Sequence, residues 1–216
     1  MTAPDLQAAA DALAIGVSII DRAVSHAAAL PDADEHQSLL YDLAHAASAI
    51  EISRSLLDYG AKGENEGKLA CAFIADVLAD LHSKLFGRET AWGVENGELD
   101  PAREFIRLFR DPQFVAQLAL VEAPRHLDED FEMVADTFRR FANDKIAPQA
   151  EHIHRQDTDI PEDIISGLAE LGCFGLSVPE EYGGFATGSE SDYMGMVIAT
   201  EELSRASLGA GGSLIT

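Results

Sequence analysis

Basic residues are scarce in this chain: 15 Lys and Arg stand against 38 Asp and Glu in 216 residues, a formal charge of −23. A phosphate backbone is bound by a basic face that displaces its counterions, so nucleic acid is excluded as a partner. The same imbalance leaves few cations for the phosphates of an acidic ligand, and a site for one must gather them locally or lie elsewhere. Cysteine is almost absent. Cys71 and Cys173 lie far apart, with no C-x-x-C or His/Cys cluster near either, a pattern of buried free thiols rather than of a disulfide or a metal site. No apolar run approaches the roughly 20 residues that span a bilayer, and Met1-Thr2-Ala3-Pro4-Asp5 lacks the basic start of a secretory leader. The expectation is a soluble, cytoplasmic protein with no membrane partner. No alternating or continuous strand pattern is long enough to predict a sheet.

Helical periodicity is what the chain does carry. Leu6, Leu13, Val17, Ile20 and Val24 recur at three- to four-residue spacing and predict an amphipathic helix over 5–30 that Pro31 ends. A second helix is predicted over 34–59 (Leu39, Leu43, Ala46, Ile50, Leu57), with Gly60 and Gly63 as C-terminal caps, and a third over 64–87. Three such helices with short joints must cover one another's apolar stripes, which makes a bundle. Weaker signals follow, with Trp92 expected in a joint region. Asp100-Pro101 and Asp111-Pro112 each predict the start of a short helix.

Ala123-Pro124 reads as a boundary, so the chain divides into a helical-bundle extension, 1–123, and a second helical module, 124–216. The fold class is therefore all-α. The second module opens with a long helix over 128–156 that Pro148 should kink or break. Ile160-Pro161-Glu162-Asp163 starts the next helix, Gly172 ends it, and a last helix runs over 192–206. Ser177 to Gly184, with Val178-Pro179-Glu180-Glu181-Tyr182-Gly183-Gly184, is expected as a buried, hairpin-like corner that cannot be helical at its end, where Pro179 removes a donor and Gly183-Gly184 can adopt positive φ. Glu201, Glu202 and Arg205 read as a solvated helix face.

Several candidate motifs carry little chemistry. His152 and His154 are two apart, point to different sides of a helix and have no third ligand nearby, so they do not predict a metal site. Gly209-Ala210-Gly211-Gly212 follows no strand and has no Lys, which suits a helix terminus or hinge better than a phosphate loop. Ser177, Ser204 and Ser207 have no His and Asp in a nucleophile context.

The ordered series Phe138, Phe141, Ile146-Ala147-Pro148, Glu151, Ile160-Pro161, Leu171-Gly172, Val178 to Gly184 and Glu201-Glu202-Leu203-Ser204-Arg205 resembles the N-terminal α-domain of flavin-dependent acyl-CoA dehydrogenases. The resemblance implies α,β-dehydrogenation of an acyl-CoA thioester, with FAD as cofactor, electron-transfer flavoprotein as acceptor and a homo-oligomeric assembly. It also implies that the flavin β-domain and the C-terminal α-domain, which carries the base, are absent from 1–216. No residue here is therefore expected to be catalytic, cofactor-binding or metal-ligating. The extension and the stretch from Ala206 to Thr216 resemble the (2S)-methylsuccinyl-CoA dehydrogenase branch of that family. Arg107-Leu108-Phe109-Arg110-Asp111-Pro112 is also similar to the last bundle of the same family, though it lacks the Glu-Gly-Thr found there. The alternative reading is a helical interaction or oligomerisation module without catalysis of its own.

Overall fold

A computed structural model of the protein describes residues 2–121 and 124–212. Its contacts divide the chain into two compact units, Met1–Pro124 and Arg125–Thr216. Ala123 and Ser213–Thr216 lie outside the described residues, whose architecture is all-α and contains no β-strand.

The first unit is built on three long helices, α1 (Leu6–Ala28), α2 (Gln37–Gly60) and α3 (Glu64–Leu85), each packed on the other two. Asp5 caps α1 by accepting from the Ala8 amide at 2.9 Å. The buried stripe of α1 is Ala9, Ala12, Leu13, Gly16, Ile19, Ile20 and Ala23, while Val24 is exposed and Val17 half-buried. The expected seam was thus out of phase toward its end, because small residues rather than large ones face the partners. Gly16 shows why: a Cβ there would lie 2.8 Å from both Ile50 Cδ1 and Leu78 Cδ2. The fully buried Ile19, Ile50, Ile74, Leu78 and Leu81 fill the space between the helices, each side chain stabilising by about 1.5–3 kcal/mol.

Gly60 and Gly63 are not the caps predicted for them. Gly60 is the last residue of α2, where a Cβ would meet Ala70 and Leu6 at 2.9 Å, and Gly63 is the extended N-cap of α3. Trp92, in the short helix α4 (Glu89–Trp92), is fully buried in the bundle core rather than in a joint. The chain then runs through α5 (Arg103–Phe109) and α6 (Pro112–Leu118), where Phe105 and Phe109 meet at a tilt with ring centroids 4.9 Å apart and Phe109 and Phe114 meet edge to face at 5.4 Å. Asp111 caps α6 through the amides of Gln113 and Phe114, and Arg110 pairs with Asp76 of α3 at 2.6 Å. Arg110-Asp111, within the run likened to the family's last bundle, is thus a structural corner.

In the second unit, α7 (Glu129–Phe141) passes through a π turn, Ala142–Ile146, into α8 (Ala147–Gln156). Pro148 has no amide to give to the carbonyl of residue 144, and the wide turn, closed by the Ala147 amide on Ala142, accommodates it. That turn delivers Ala142 and Ile146 into the core beside Phe138. Helix α9 (Glu162–Glu170) contributes Ile164 and Leu168, and α10 (Glu190–Ala206) contributes Ala199 and Leu203. Close approach is again built on glycine: a Cβ at Gly167 would lie 2.4 Å from the Phe141 ring.

Candidate functional site

Helix α9 ends at Gly172, which takes φ +76°, a conformation that favours glycine. A 3-10 turn, Cys173–Gly175, follows, and the chain returns so that the Phe185 amide donates to Gly175 O and the Ala186 amide to Val178 O, both at 2.9 Å. Phe185 lies over the two glycines of this stretch: a Cβ at Gly172 or Gly175 would meet its ring at 2.7 or 3.0 Å. Gly184 is required for closure, since a Cβ there would sit 2.0 Å from Val178 O.

The end of the corner is non-helical as expected, with Gly183 at φ +84° after a 3-10 turn at Glu180–Tyr182, but the corner is open to solvent rather than buried, with Tyr182 76% and Phe185 60% exposed. Its order of one proline, two acids and two glycines prescribes the backbone path, but the local pattern does not say what covers it.

Asp192 lies in the first turn of α10. Its carboxylate accepts from the amides of Thr187, Gly188 and Ser189 at 2.7–3.1 Å, and Ser189 completes a capping box. Desolvation acts to raise the Asp192 carboxyl, but the hydrogen bonds outweigh it and hold it below the usual range. A hollow of about 410 Å³ beside this cap is lined by Ser177, Pro179, Ala186, Thr187, Asp192 and Tyr193, among others. Tyr193 and Val197, one helical turn apart on α10, stand 72% and 60% exposed.

On the opposite side of α10 the structure corrects the reading of Glu202. It is buried, not solvated, and binds three arginines: Arg139 through both oxygens at 2.5 and 3.1 Å, Arg125 at 2.9 Å and Arg205 at 3.2 Å. Burial alone would push this carboxyl up; the arginine hydrogen bonds overcome it and hold Glu202 below the ordinary carboxylate range. The site ties α7, α10 and the segment before α7 together. Periodicity held the missed signal, since residue 202 falls on the same face of α10 as Ile198 and Ala199.

The remaining candidates do not converge. His152 and His154 are both exposed on α8. Gly211 and Gly212 fold back on the last turn of α10, where a Cβ would meet Ile146 at 2.9 Å and Ser204 Oγ at 2.1 Å, so the glycine run is a tight helix terminus. Ser204 Oγ is buried and has no hydrogen-bond partner among the described residues. Cys71 and Cys173 are buried free thiols, and burial pushes Cys173 up to about 11 and raises Cys71 as well. Among the described residues no group of three His, Cys, Asp or Glu is placed to share a metal ion, and no helix is long and apolar enough to cross a membrane.

Comparison with known proteins gives this scaffold its family. Residues 128–216 match the acyl-CoA dehydrogenase N-terminal domain. The chain is 34% identical over 202 residues to (2S)-methylsuccinyl-CoA dehydrogenase of Cereibacter sphaeroides, covering 82% of this chain and 36% of that enzyme. It is 34% identical over 82 residues to glutaryl-CoA dehydrogenase of Desulfococcus multivorans, 38% of this chain and 21% of the relative. It is 39% identical over 74 residues to isovaleryl-CoA dehydrogenase of Arabidopsis thaliana, 33% of this chain and 17% of the relative. The chain thus spans about a third or less of the length of these relatives. Residues 128–216 are therefore an acyl-CoA dehydrogenase N-terminal domain.

Proposed function

We propose that the chain is the N-terminal part of an FAD-dependent enzyme that α,β-dehydrogenates an acyl-CoA thioester, with (2S)-methylsuccinyl-CoA as substrate and electron-transfer flavoprotein as electron acceptor. One observation carries the choice of branch. The similarity to the methylsuccinyl-CoA enzyme covers 82% of the chain, which cannot be reached without much of Met1–Pro124, whereas the glutaryl- and isovaleryl-CoA enzymes match between a third and a half. The extension is therefore a shared feature of that branch, with a packing or assembly role, and domain 124–216 is the part common to the family.

The described residues do not by themselves fit a flavin. The hollow beside α10 offers one carboxylate, Asp192, and no cation among its lining residues, which does not suit the diphosphate of a dinucleotide. In the whole enzyme that group would be held by residues beyond this chain. What these residues supply is a wall: Tyr182, Phe185, Tyr193 and Val197 form exposed apolar surface that the acyl chain or a neighbouring domain would cover and keep from water. The three-arginine lock on Glu202 holds α10 in place behind that wall.

The test is anaerobic titration of the protein from the complete gene with methylsuccinyl-, glutaryl- and isovaleryl-CoA, followed by its visible spectrum. Bleaching of a flavin band by (2S)-methylsuccinyl-CoA at the lowest concentration is expected. A colourless protein would overturn the flavoenzyme reading, and stronger bleaching by either other thioester would overturn the substrate.

A further inference from the structure

The chain holds three asparagines, Asn65, Asn96 and Asn143, in three different settings. Asn65 is half-buried in the first turn of α3 before Glu66, and Asn143 lies in the π turn before Asp144, where its Oδ1 accepts from Arg205 at 3.3 Å. Asn96 is exposed in a turn outside any helix, and it precedes Gly97, which takes φ +84°. Neither the Asn96 side chain nor the Gly97 amide has a hydrogen-bond partner among the described residues. The flanks of this turn, Val94 and Leu99, are buried in the core of the first unit at 8% and 6% exposure. Between them Glu98 holds the turn to α1, accepting from the Glu95 amide at 2.6 Å and pairing with Arg22. A hollow of about 570 Å³ is lined by Glu95 and Glu98 on one side and by Ala14, Ile15, Ser18 and Arg22 of α1 on the other, so the turn is not packed flat on the helix.

We propose that Asn96 is a site of spontaneous deamidation in the folded protein, with water as the reagent and isoaspartate and aspartate as the products. The Gly97 nitrogen attacks Cγ of Asn96. The Cγ–Nδ2 bond breaks, ammonia leaves with the proton given up by the Gly97 nitrogen, and a five-membered succinimide closes. Water then opens the ring at one of its two carbonyls. Breaking the bond between the Gly97 nitrogen and the main-chain carbonyl carbon of residue 96 leaves isoaspartate, and breaking its bond to Cγ leaves aspartate. No oxidant, reductant or cofactor enters. Glycine permits the attack, because no Cβ shields its nitrogen and its backbone is free to turn as the ring closes. No hydrogen bond of the Gly97 amide has to be broken first. Asn65 and Asn143 lack these conditions: helical backbone holds the side chain away from the following nitrogen, and Glu66 and Asp144 shield it. Isoaspartate lengthens the main chain by one methylene between residues 96 and 97, and either product adds a carboxylate beside Glu95 and Glu98. Both changes act on the tether from Glu98 to Arg22, the first by displacing it and the second by crowding like charge around it. This inference does not rest on the acyl-CoA reading.

Incubation of the protein from the complete gene at pH 8, in buffer and in urea, tests it, with mass spectrometry of the peptide 89–103 that trypsin releases after Arg88 and Arg103. Conversion of the Asn96 amide to a carboxyl in the folded protein is expected within about tenfold of the rate in urea, since an exposed turn opens at little cost. Asn65 and Asn143 should convert at least about tenfold more slowly than Asn96 while the protein is folded. The isoaspartyl and aspartyl peptides should elute as separate peaks. Asn96→Gln would have to close a larger ring and should stay unmodified. The unfolding midpoint of the parent should fall as isoaspartate accumulates, while that of Asn96→Gln holds through the same incubation. A folded rate more than about tenfold below the rate in urea overturns the proposal. Aspartate without isoaspartate also overturns it, because that marks direct hydrolysis rather than a ring, and midpoints that fall equally in parent and variant overturn the effect on the tether.

Discussion

Replacing Glu202 by Gln keeps the shape of the side chain and removes the charge on which three arginines converge. The carboxylate side chain is 3% exposed, whereas the guanidinium groups of Arg125, Arg139 and Arg205 are 30, 39 and 49% exposed. Removing one partner of a fully buried ion pair costs about 3–5 kcal/mol, and an exposed pair is worth about 0–1 kcal/mol. Here the charge that is lost is buried while those left behind can turn to water, which places the cost between these limits, at about 2 kcal/mol. For a unit of this size that lowers the midpoint by about 10 °C. The two units can be followed separately, because Trp92 is the sole tryptophan and lies in the core of the first. Thermal unfolding of Glu202→Gln followed by circular dichroism should therefore show an early transition, with tryptophan fluorescence unmoved. The deficit must also depend on pH. Glu202 is depressed in the folded state, so its contribution is full above the unfolded carboxylate pKa and is lost as pH falls through the folded one. Variant and parent should converge in acid. A loss that persists there, or a shift in the Trp92 transition equal to that in dichroism, would refute the assignment of Glu202 as an ionic lock internal to the second unit.

Two further outcomes follow from packing. Gly16→Ala gains about 1 kcal/mol of helix propensity but drives a methyl to 2.8 Å from Ile50 and Leu78, an overpacking worth about 1–3 kcal/mol, so the Trp92 transition should move down; an upward shift would show that the helices can part at no cost. The thiol of Cys173, held near 11 by burial, and that of Cys71, also raised, should resist a thiol reagent at pH 8 in the folded protein and react once urea is added. Rapid labelling of either under native conditions would contradict its buried position.

The legibility of the chain varied with the range of the forces involved. The three long helices, the irregularity near Pro148, the stop at Gly172 and the helix start at Asp111-Pro112 could be read because they depend on neighbours a turn away. The phase of α1 could not be read to its end, since only the approach of α2 and α3 makes Gly16 and Ala23 better core residues than Val24. Trp92 looked isolated in sequence, and its pocket comes from helices distant along the chain. Glu202 was assigned to solvent because two of its partners, Arg125 and Arg139, lie 77 and 63 residues before it.

By itself, the sequence determined the helical class, the ordered motifs that mark an acyl-CoA dehydrogenase N-terminal domain, and the strongly acidic charge balance. Those are properties of periodicity, spacing and composition, which need no partner to exist. Only the tertiary structure decided which glycines are seats for a neighbouring side chain, that Glu202 is an ionic lock rather than a wet surface residue, and that the signature corner turns its aromatic rings outward. Each of these is set by what stands opposite a residue in space, and the one-dimensional order of the chain does not specify that.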